Sequence, residues 1–437
     1  MRSALTVAVG RVARRLARLR GSGGSAFPGL VVERVDPHFM ARTLTSLPQG
    51  VVVVSGTNGK TTTTKILVEL LRSQGLKVFT NPTGSNFVRG VAAALLPAVD
   101  ARGRLDADIA VLELDEAHAV HFVREVRPRA CLLLNVMRDQ LDRFGEIDHT
   151  ADLLHTVARA TTELVVVNAD DPRLSTPRFT DDLTARVGRF GIGAALADVF
   201  RSDDDLRRDG NGAPGAEDRD AAEAPPVDTR LERIDGTRAE ITTGGTRVEV
   251  TFALPGVHNM LNATGALALA TGLLGRRTDL PAATRALSEV RAAFGRGEMI
   301  DVDGVPLELA LVKNPAGFRM SLLSSRTVPA RTMIAINDQY ADGRDMSWLW
   351  DVDFASLRET GVAEVSGVRA HDMALRLRYD EVDVGEVEQD LERAVARFLD
   401  GRRASGDERP MRIFCTYTAM LTVRSILARS HDVEEVL

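Results

Sequence analysis

One stretch constrains this 437-residue chain more than any other: Val51-Val-Val-Val-Ser-Gly56-Thr-Asn-Gly59-Lys60-Thr61-Thr62. Four successive valines fit a strand buried on both faces. Two glycines then break it, and Thr61–Gln74 reads as a helix. A strand that turns through glycine into a helix start leaves backbone N–H groups without partners. They point at one place, where the helix dipole also favours negative charge. The lysine can reach the β- and γ-phosphates of a nucleotide, and the threonine hydroxyl can ligate Mg²⁺. The full phosphate-loop spacing would put a glycine where Val54 stands, so the loop is a shortened G-x-x-G-K-T. Gly56, Thr57, Asn58, Gly59, Lys60, Thr61 and Thr62 are therefore the candidate ATP-binding residues, with Thr61 also a candidate metal ligand.

Downstream, apolar runs at Ile109–Leu114, Ala130–Val136 and Leu164–Asn168 read as further strands separated by helical segments. That alternation predicts an α/β fold with a parallel sheet covered on both faces. Residues 200–235 are acidic and rich in glycine and proline, and are expected to be a mobile surface insertion. Arg238–Phe252 alternates like a hairpin, and Leu261–Leu274 is again helical. Near Ile300–Leu311 a second, smaller α/β domain is expected to begin, with strands at Thr332–Ile336, Glu364–Val368 and Arg412–Thr416. The domain reading is thus 1–45 (amphipathic helix and linker), 46–300 (central ATP-binding domain) and 301–437 (C-terminal domain).

Residues 1–20 contain arginine at 2, 11, 14, 15, 18 and 20, and the first acidic residue is Glu33. Leu5, Val9, Val12, Leu16 and Leu19 recur at steps of three and four, as on an amphipathic helix. Such a stripe ordinarily docks on its own domain; the alternative is contact with anionic lipid headgroups. The net charge of −6 argues against nucleic acid as a partner. Two cysteines exclude a disulfide scaffold, no apolar run spans a bilayer, and Ala4–Val9 is too short for a signal peptide. A cytoplasmic location is expected, with peripheral membrane proximity hinted at by the arginine-rich helix.

The short loop resembles that of the Mur ligase superfamily, and other motifs agree. Glu113, in Leu-Glu113-Leu-Asp115-Glu116, stands where those enzymes place a Mg²⁺-binding glutamate. Asn81-Pro-Thr83-Gly84-Ser85-Asn86 resembles a second loop whose hydroxyl, here Ser85, can reach the metal. Gly256-Val-His258-Asn259-Met-Leu-Asn262 resembles the stretch whose first asparagine, Asn259, contacts adenine; an amide offers both donor and acceptor to a base edge. Phe294-Gly-Arg296-Gly-Glu298 resembles the arginine motif that ends the central domain, which implies Arg296 against phosphate.

Two departures narrow the resemblance. The amino-acid-adding members have histidine after the aspartate of N-x-x-x-D-H, where this chain has Asn135-Val-Met-Arg-Asp139-Gln140. They also use a carbamylated lysine, yet no lysine lies between Lys77 and Lys313. By contrast, Val312-Lys313-Asn314-Pro315 and Asn337-Asp-Gln-Tyr-Ala-Asp342-Gly343-Arg-Asp345-Met-Ser347-Trp348-Leu-Trp350-Asp351 resemble the MurT family. These are the synthetase subunits of lipid II isoglutaminyl synthase. The resemblance implies ATP-dependent amidation of the D-glutamate α-carboxylate of the lipid II stem peptide through an acyl phosphate, with Lys313 and Arg296 assisting. It implies a glutaminase partner of the GatD type that supplies ammonia, completed by an aspartate of this chain, Asp351 first and Asp345 second. Trp348 and Trp350, two apart, would share a face if that segment were a strand. Many MurT chains carry a four-cysteine zinc ribbon; here the matching segment has no cysteine, so no zinc is expected. A Mur- or folylpolyglutamate-type amino-acid ligase and a nucleotide-dependent scaffold are the competing readings.

Overall fold

The computed structural model describes residues 2–19, 26–81, 86–137, 147–197, 199–200, 226–253, 256–291, 296–325, 329–431 and 433. Two compact units are present: Met1–Met137 with Glu146–Ala253 and Asn259–Val290, and Arg138–Gly145 with Leu254–His258 and Arg291–Leu437.

The first unit is built on nine strands: β1 (Val51–Ser55), β2 (Val78–Thr80), β3 (Ile109–Glu113), β4 (Ala130–Leu133), β5 (Leu164–Asn168), β6 (Arg186–Ile192), β7 (Thr229–Asp235), β8 (Arg238–Thr243) and β9 (Thr246–Thr251). Their order is β2-β3-β1-β4-β5-β6-β7-β8-β9. Pairing is parallel from β2 to β7 and antiparallel from β7 to β9. Every residue of β1, β3, β4 and β5 is buried, which is why these strands read as unbroken apolar runs. The chain leaves β1 for β2 and β3 on one side and crosses to β4 on the other. The carboxyl end of β1 is thus a topological switch point, where open α/β sheets hold their ligands.

Two expectations need correction here. Residues 201–225 of the expected insertion lie outside the described residues, but Thr229–Asp235 is strand β7, paired with β6 and β8. Thr229 and Leu231 point inward between half-buried Arg230 and Glu232. That alternation was masked by the proline- and acid-rich residues before it. The N-terminal helix Arg2–Leu19 also docks differently from its stripe. Thr6, Val7, Gly10 and Ala13 are buried, whereas Leu5 and Val12 are 61% and 56% exposed. Arg11 donates from Nε and a terminal nitrogen to the Leu96 and Val99 carbonyls, at 3.1 and 2.7 Å, capping the helix Val88–Ala98. Gly10 and Gly29 permit close packing there: a Cβ on Gly10 would lie 2.5 Å from Leu96 Cδ2, and one on Gly29 2.0 Å from the Arg89 carbonyl oxygen.

The second unit has six strands: β10 (Arg296–Val302), β11 (Val305–Leu311), β12 (Arg331–Ala335), β13 (Val362–Ser366), β14 (Val384–Glu388) and β15 (Met411–Cys415). They are ordered β10-β11-β15-β12-β13-β14, with only the β10–β11 pair antiparallel. Phe318 anchors one side of the core, edge-on to Phe354 at 5.0 Å and tilted against Phe414 at 5.2 Å. Ser347–Asp351 is a 3₁₀ turn and not a strand, so the two tryptophans part. Trp348 is buried against Phe318, while Trp350 is 47% exposed and packs edge-on against Tyr379 at 5.1 Å. Arg376 holds the turn from below, donating to the Leu349 and Val352 carbonyls.

Candidate nucleotide site and relatives

The glycine loop of the first unit is braced from two directions. Gly56, at φ +132°, leaves β1 where a Cβ would lie 3.0 Å from the Asn135 backbone nitrogen. Asn135, just past β4, clamps Asn58: its Oδ1 accepts from the Asn58 N–H at 2.8 Å and its Nδ2 donates to the Asn58 carbonyl at 3.1 Å. The Thr57 N–H donates to the Asn135 carbonyl at 3.0 Å, and the Thr57 hydroxyl accepts from the Met137 N–H at 3.0 Å. Buried Asp171 fixes that post-β4 segment by accepting from the Val136 N–H at 2.7 Å. Burial raises its pKa despite the backbone donors around it.

Gly59 is the N-cap of the helix Lys60–Ser73 and has φ +87°. A Cβ there would lie 2.7 Å from both Oδ1 and Nδ2 of Asn262, on the helix Val257–Leu274. No side chain caps this helix start, and N–H groups at a helix start are the donors that suit an anion.

Lys60 is almost fully buried, and its Nζ lies 2.6 Å from the Gly56 carbonyl, 3.1 Å from Asp115 Oδ1 and 3.4 Å from Glu116 Oε2. The ammonium is thus held at the loop by two carboxylates from the end of β3. The Thr61 hydroxyl donates to Glu113 Oε1 at 2.8 Å. Asn81 locks the strand that carries Glu113: its Nδ2 donates to the Glu113 carbonyl, and its Oδ1 accepts from the Glu113 N–H, both at 3.0 Å. A hydroxyl and a carboxylate side by side, next to a phosphate cradle, form a hard-oxygen donor set that suits Mg²⁺.

Gly56, Thr57, Asn58, Gly59, Lys60, Thr61, Thr62 and Glu113 therefore converge on the carboxyl end of β1. Asn259 lies buried in the first turn of the helix that also brings Asn262 to the loop. Ser85 lies outside the described residues, as does the stretch 138–146 that holds Asp139 and Gln140. Arg296 opens β10, but its side chain lies outside the described residues. Sequence reading gave no role to Asn135, Asn262, Asn81, Asp115 or Glu116. All five stand within motifs that it singled out, and only the contacts show what they brace.

In the second unit, Lys313 follows β11, and Asn314 caps the next helix by accepting from the Gly317 N–H at 2.7 Å. At the same carboxyl edge, Asn337 donates to the Thr418 hydroxyl at 3.1 Å and accepts from the Val368 N–H at 3.1 Å. Asp342 accepts from the Thr418 N–H and hydroxyl at 2.7 and 2.6 Å. This network sits where β15 returns between β11 and β12, a second switch point. Asp351 ends the 3₁₀ turn, half-buried, with its carbonyl accepting from Arg319. Asp345 is exposed and accepts from the Ser347 N–H at 2.9 Å. Both cysteines are interior strand residues. Burial pushes the Cys131 thiol up to about 12 and raises that of Cys415 as well.

Comparison with known proteins gives the family. Residues 54–270 match the Mur ligase middle domain, and residues 311–420 match the MurT ligase C-terminal domain. The chain is 30% identical to the Streptococcus pneumoniae (strain ATCC BAA-255 / R6) lipid II isoglutaminyl synthase (glutamine-hydrolyzing) subunit MurT, covering 93% of this chain and 92% of the relative. It is 27% identical to the protein of the same name from Staphylococcus aureus (strain COL), over 92% and 93% of the two chains. Among solved structures, MurF ligase from Thermotoga maritima in complex with ADP shares the fold, with TM-score 0.66, 18% identity and coverage of 92% and 84%. Mycobacterium tuberculosis folylpolyglutamate synthase complexed with ADP and AMPPCP does so with TM-score 0.61, 15% identity and coverage of 93% and 99%. With a Mur ligase-type nucleotide fold in its first unit and the MurT-specific domain in its second, the chain belongs to the MurT family of Mur ligase-type enzymes.

Proposed function

We propose that this chain is the synthetase subunit of a lipid II-amidating enzyme. It would transfer the γ-phosphoryl group of ATP to the α-carboxylate of D-glutamate in the stem peptide. Ammonia would then attack the acyl carbon, phosphate would leave, a proton would be lost, and D-isoglutamine would remain. The observation that carries the reading is the buried Lys60–Thr61–Glu113 set on a glycine turn at a switch point. Lys60 would shift from Asp115 and Glu116 toward the phosphates, and the N–H groups at the start of its helix would take their charge. Thr61 and Glu113, with Ser85, would hold Mg²⁺, which supplies further charge neutralisation when bound. Asn259 would contact the adenine. Arg296 and Lys313 would add positive charge to the transferring phosphoryl group.

The ammonia would come from a GatD-type glutaminase forming a heterodimer with this chain. A glutaminase nucleophile is an accessible thiolate, whereas Cys131 and Cys415 are buried with raised pKa values. Asp351 would orient the partner's catalytic histidine, with Asp345 as the second choice. A lipid-linked acceptor would place the complex in the cytoplasm, at the inner membrane face.

The test is mass spectrometry of lipid II incubated with ATP, Mg²⁺ and the chain. A loss of about one mass unit marks the exchange of acid for amide. Amidation is expected with ammonium chloride alone, and with glutamine only when the glutaminase subunit is added. ATP-driven addition of a whole amino acid would overturn the reading in favour of an amino-acid ligase.

A further inference from the structure

The helix Arg2–Leu19 docks by Thr6, Val7, Gly10 and Ala13 and turns Leu5 and Val12 outward. Leu5 and Val12 are seven residues apart, hence on one face, and both are more than half exposed. Ala4, Ala8 and Arg15 are exposed as well, and so is Arg11, whose guanidinium is bonded to the Leu96 and Val99 carbonyls. Phe27, on the next helix Ala26–Val35, is a further large apolar side chain, 51% exposed. Burying Leu5 and Val12 against the rest of the unit was open to this helix, yet Val7, Gly10 and Ala13 take that place. Among the described residues, the outer surface therefore sets Leu5 and Val12 beside Arg15, one turn on from Val12.

We infer that this outer face is an interfacial docking surface for a bilayer containing anionic phospholipid. Charge selects that occupant. The first 32 residues hold six arginines and no aspartate or glutamate. Two copies of this chain meeting through the same face would bring two arginine-rich, acid-free segments together, which like-charge repulsion opposes. An anionic headgroup layer complements the arginines, while Leu5 and Val12 enter the acyl boundary in the manner of an interfacial helix. Guanidinium groups also make forked contacts to phosphate, which suits a phospholipid surface. The inference shares with the proposed function only the expectation of a membrane-borne acceptor, and it uses no residue of the nucleotide loop.

The experiment is vesicle co-sedimentation of the full chain. Phosphatidylcholine vesicles would be compared with phosphatidylcholine–phosphatidylglycerol vesicles, at low and high salt. The expected result is binding to the anionic vesicles only, weakened by salt. The double variant Leu5→Asp/Val12→Asp and the single variant Arg15→Glu should each weaken it about tenfold or more. All three side chains are on the outer surface, so melting temperature should not change, and amidation of a water-soluble muropeptide with ammonium should continue. Equal binding to neutral vesicles, no binding, or equal binding by wild type and variants would overturn the inference. So would concentration-dependent self-association that the variants abolish. Vesicle binding without any amidation would leave this surface standing and remove the proposed function.

Discussion

Gly59 offers the sharpest quantitative test of the nucleotide loop. In Gly59→Ala, alanine must adopt φ +87°, in the left-handed region. That costs about 1–2 kcal/mol for an L-residue. The new Cβ would also sit 2.7 Å from both polar atoms of the Asn262 amide, well inside contact distance. Asn262 is buried on a packed helix, so it must leave its rotamer, at about 0.5–1.5 kcal/mol. The two costs sum to roughly 1.5–3.5 kcal/mol. Urea unfolding, followed without nucleotide, reads the sum directly. The separation comes from a double-mutant cycle with Asn262→Ala, which removes the obstructing amide and leaves the backbone strain. In that background the cost of Gly59→Ala should fall by about 1 kcal/mol and not vanish. ATP binding should weaken in the single variant, because the first N–H groups of the helix Lys60–Ser73 would be displaced. An identical cost in both backgrounds would refute the Gly59–Asn262 contact. A single-variant cost below about 0.5 kcal/mol would refute the strain as well.

Three further outcomes are expected. Asp351→Asn should lower glutamine-driven amidation by the complex about a hundredfold or more while sparing ammonium-driven amidation, since an orienting carboxylate acts on the partner's chemistry alone; equal loss with both nitrogen sources would assign Asp351 to the synthetase reaction. Native Cys131 and Cys415 should resist a thiol reagent that labels both at once in urea, and Cys131→Ala/Cys415→Ala should keep ammonium-driven amidation, so rapid native labelling would contradict their burial. The Arg42 guanidinium, aided by the Thr6 hydroxyl, holds the Asp36 carboxyl below its ordinary 3.8. A lowered folded pKa stabilises above the unfolded value and is lost as pH falls through the folded one, so acid should loosen the N-terminal helix through Thr6; hydrogen exchange of residues 2–19 reads this, and Asp36→Asn should flatten the acid limb.

The strand–glycine–helix core was legible because each part states its geometry locally. Valines in series can be buried on both faces, and a glycine before lysine and threonine ends the strand at an anion cradle. The braces of that loop were not legible, since Asn135 and Asn262 act across 77 and more residues of chain. Strand β7 was hidden by composition, its own alternation being only seven residues long. The Ser347–Asp351 turn was not legible, because five residues are too few to separate a period of two from a period of three. At the N-terminus, periodicity showed that a helix was two-faced without showing which face was inward. Close approach through Gly10 and Gly29 put Thr6, Val7, Gly10 and Ala13 inward and left Leu5 and Val12 outside.

If the N-terminal helix seats the enzyme on a bilayer, that close approach would also determine how it reaches its acceptor. A flexible tether would let the nucleotide loop sample a range of heights and tilts above a surface. Here Arg11 is bonded to the end of the helix Val88–Ala98, and Gly29 lies against the backbone at Arg89 in its first turn. The residue just before that helix's N-cap, Asn86, accepts from the Asp115 N–H beside Lys60. The proposed docking face and the proposed nucleotide loop are therefore two marks on one ruler. An enzyme seated on a bilayer by this helix would hold its loop at a fixed height and azimuth, so the remaining distance must be covered by the stem peptide. The length of the acceptor between its lipid and its carboxylate would then act as a selectivity filter, independent of any pocket.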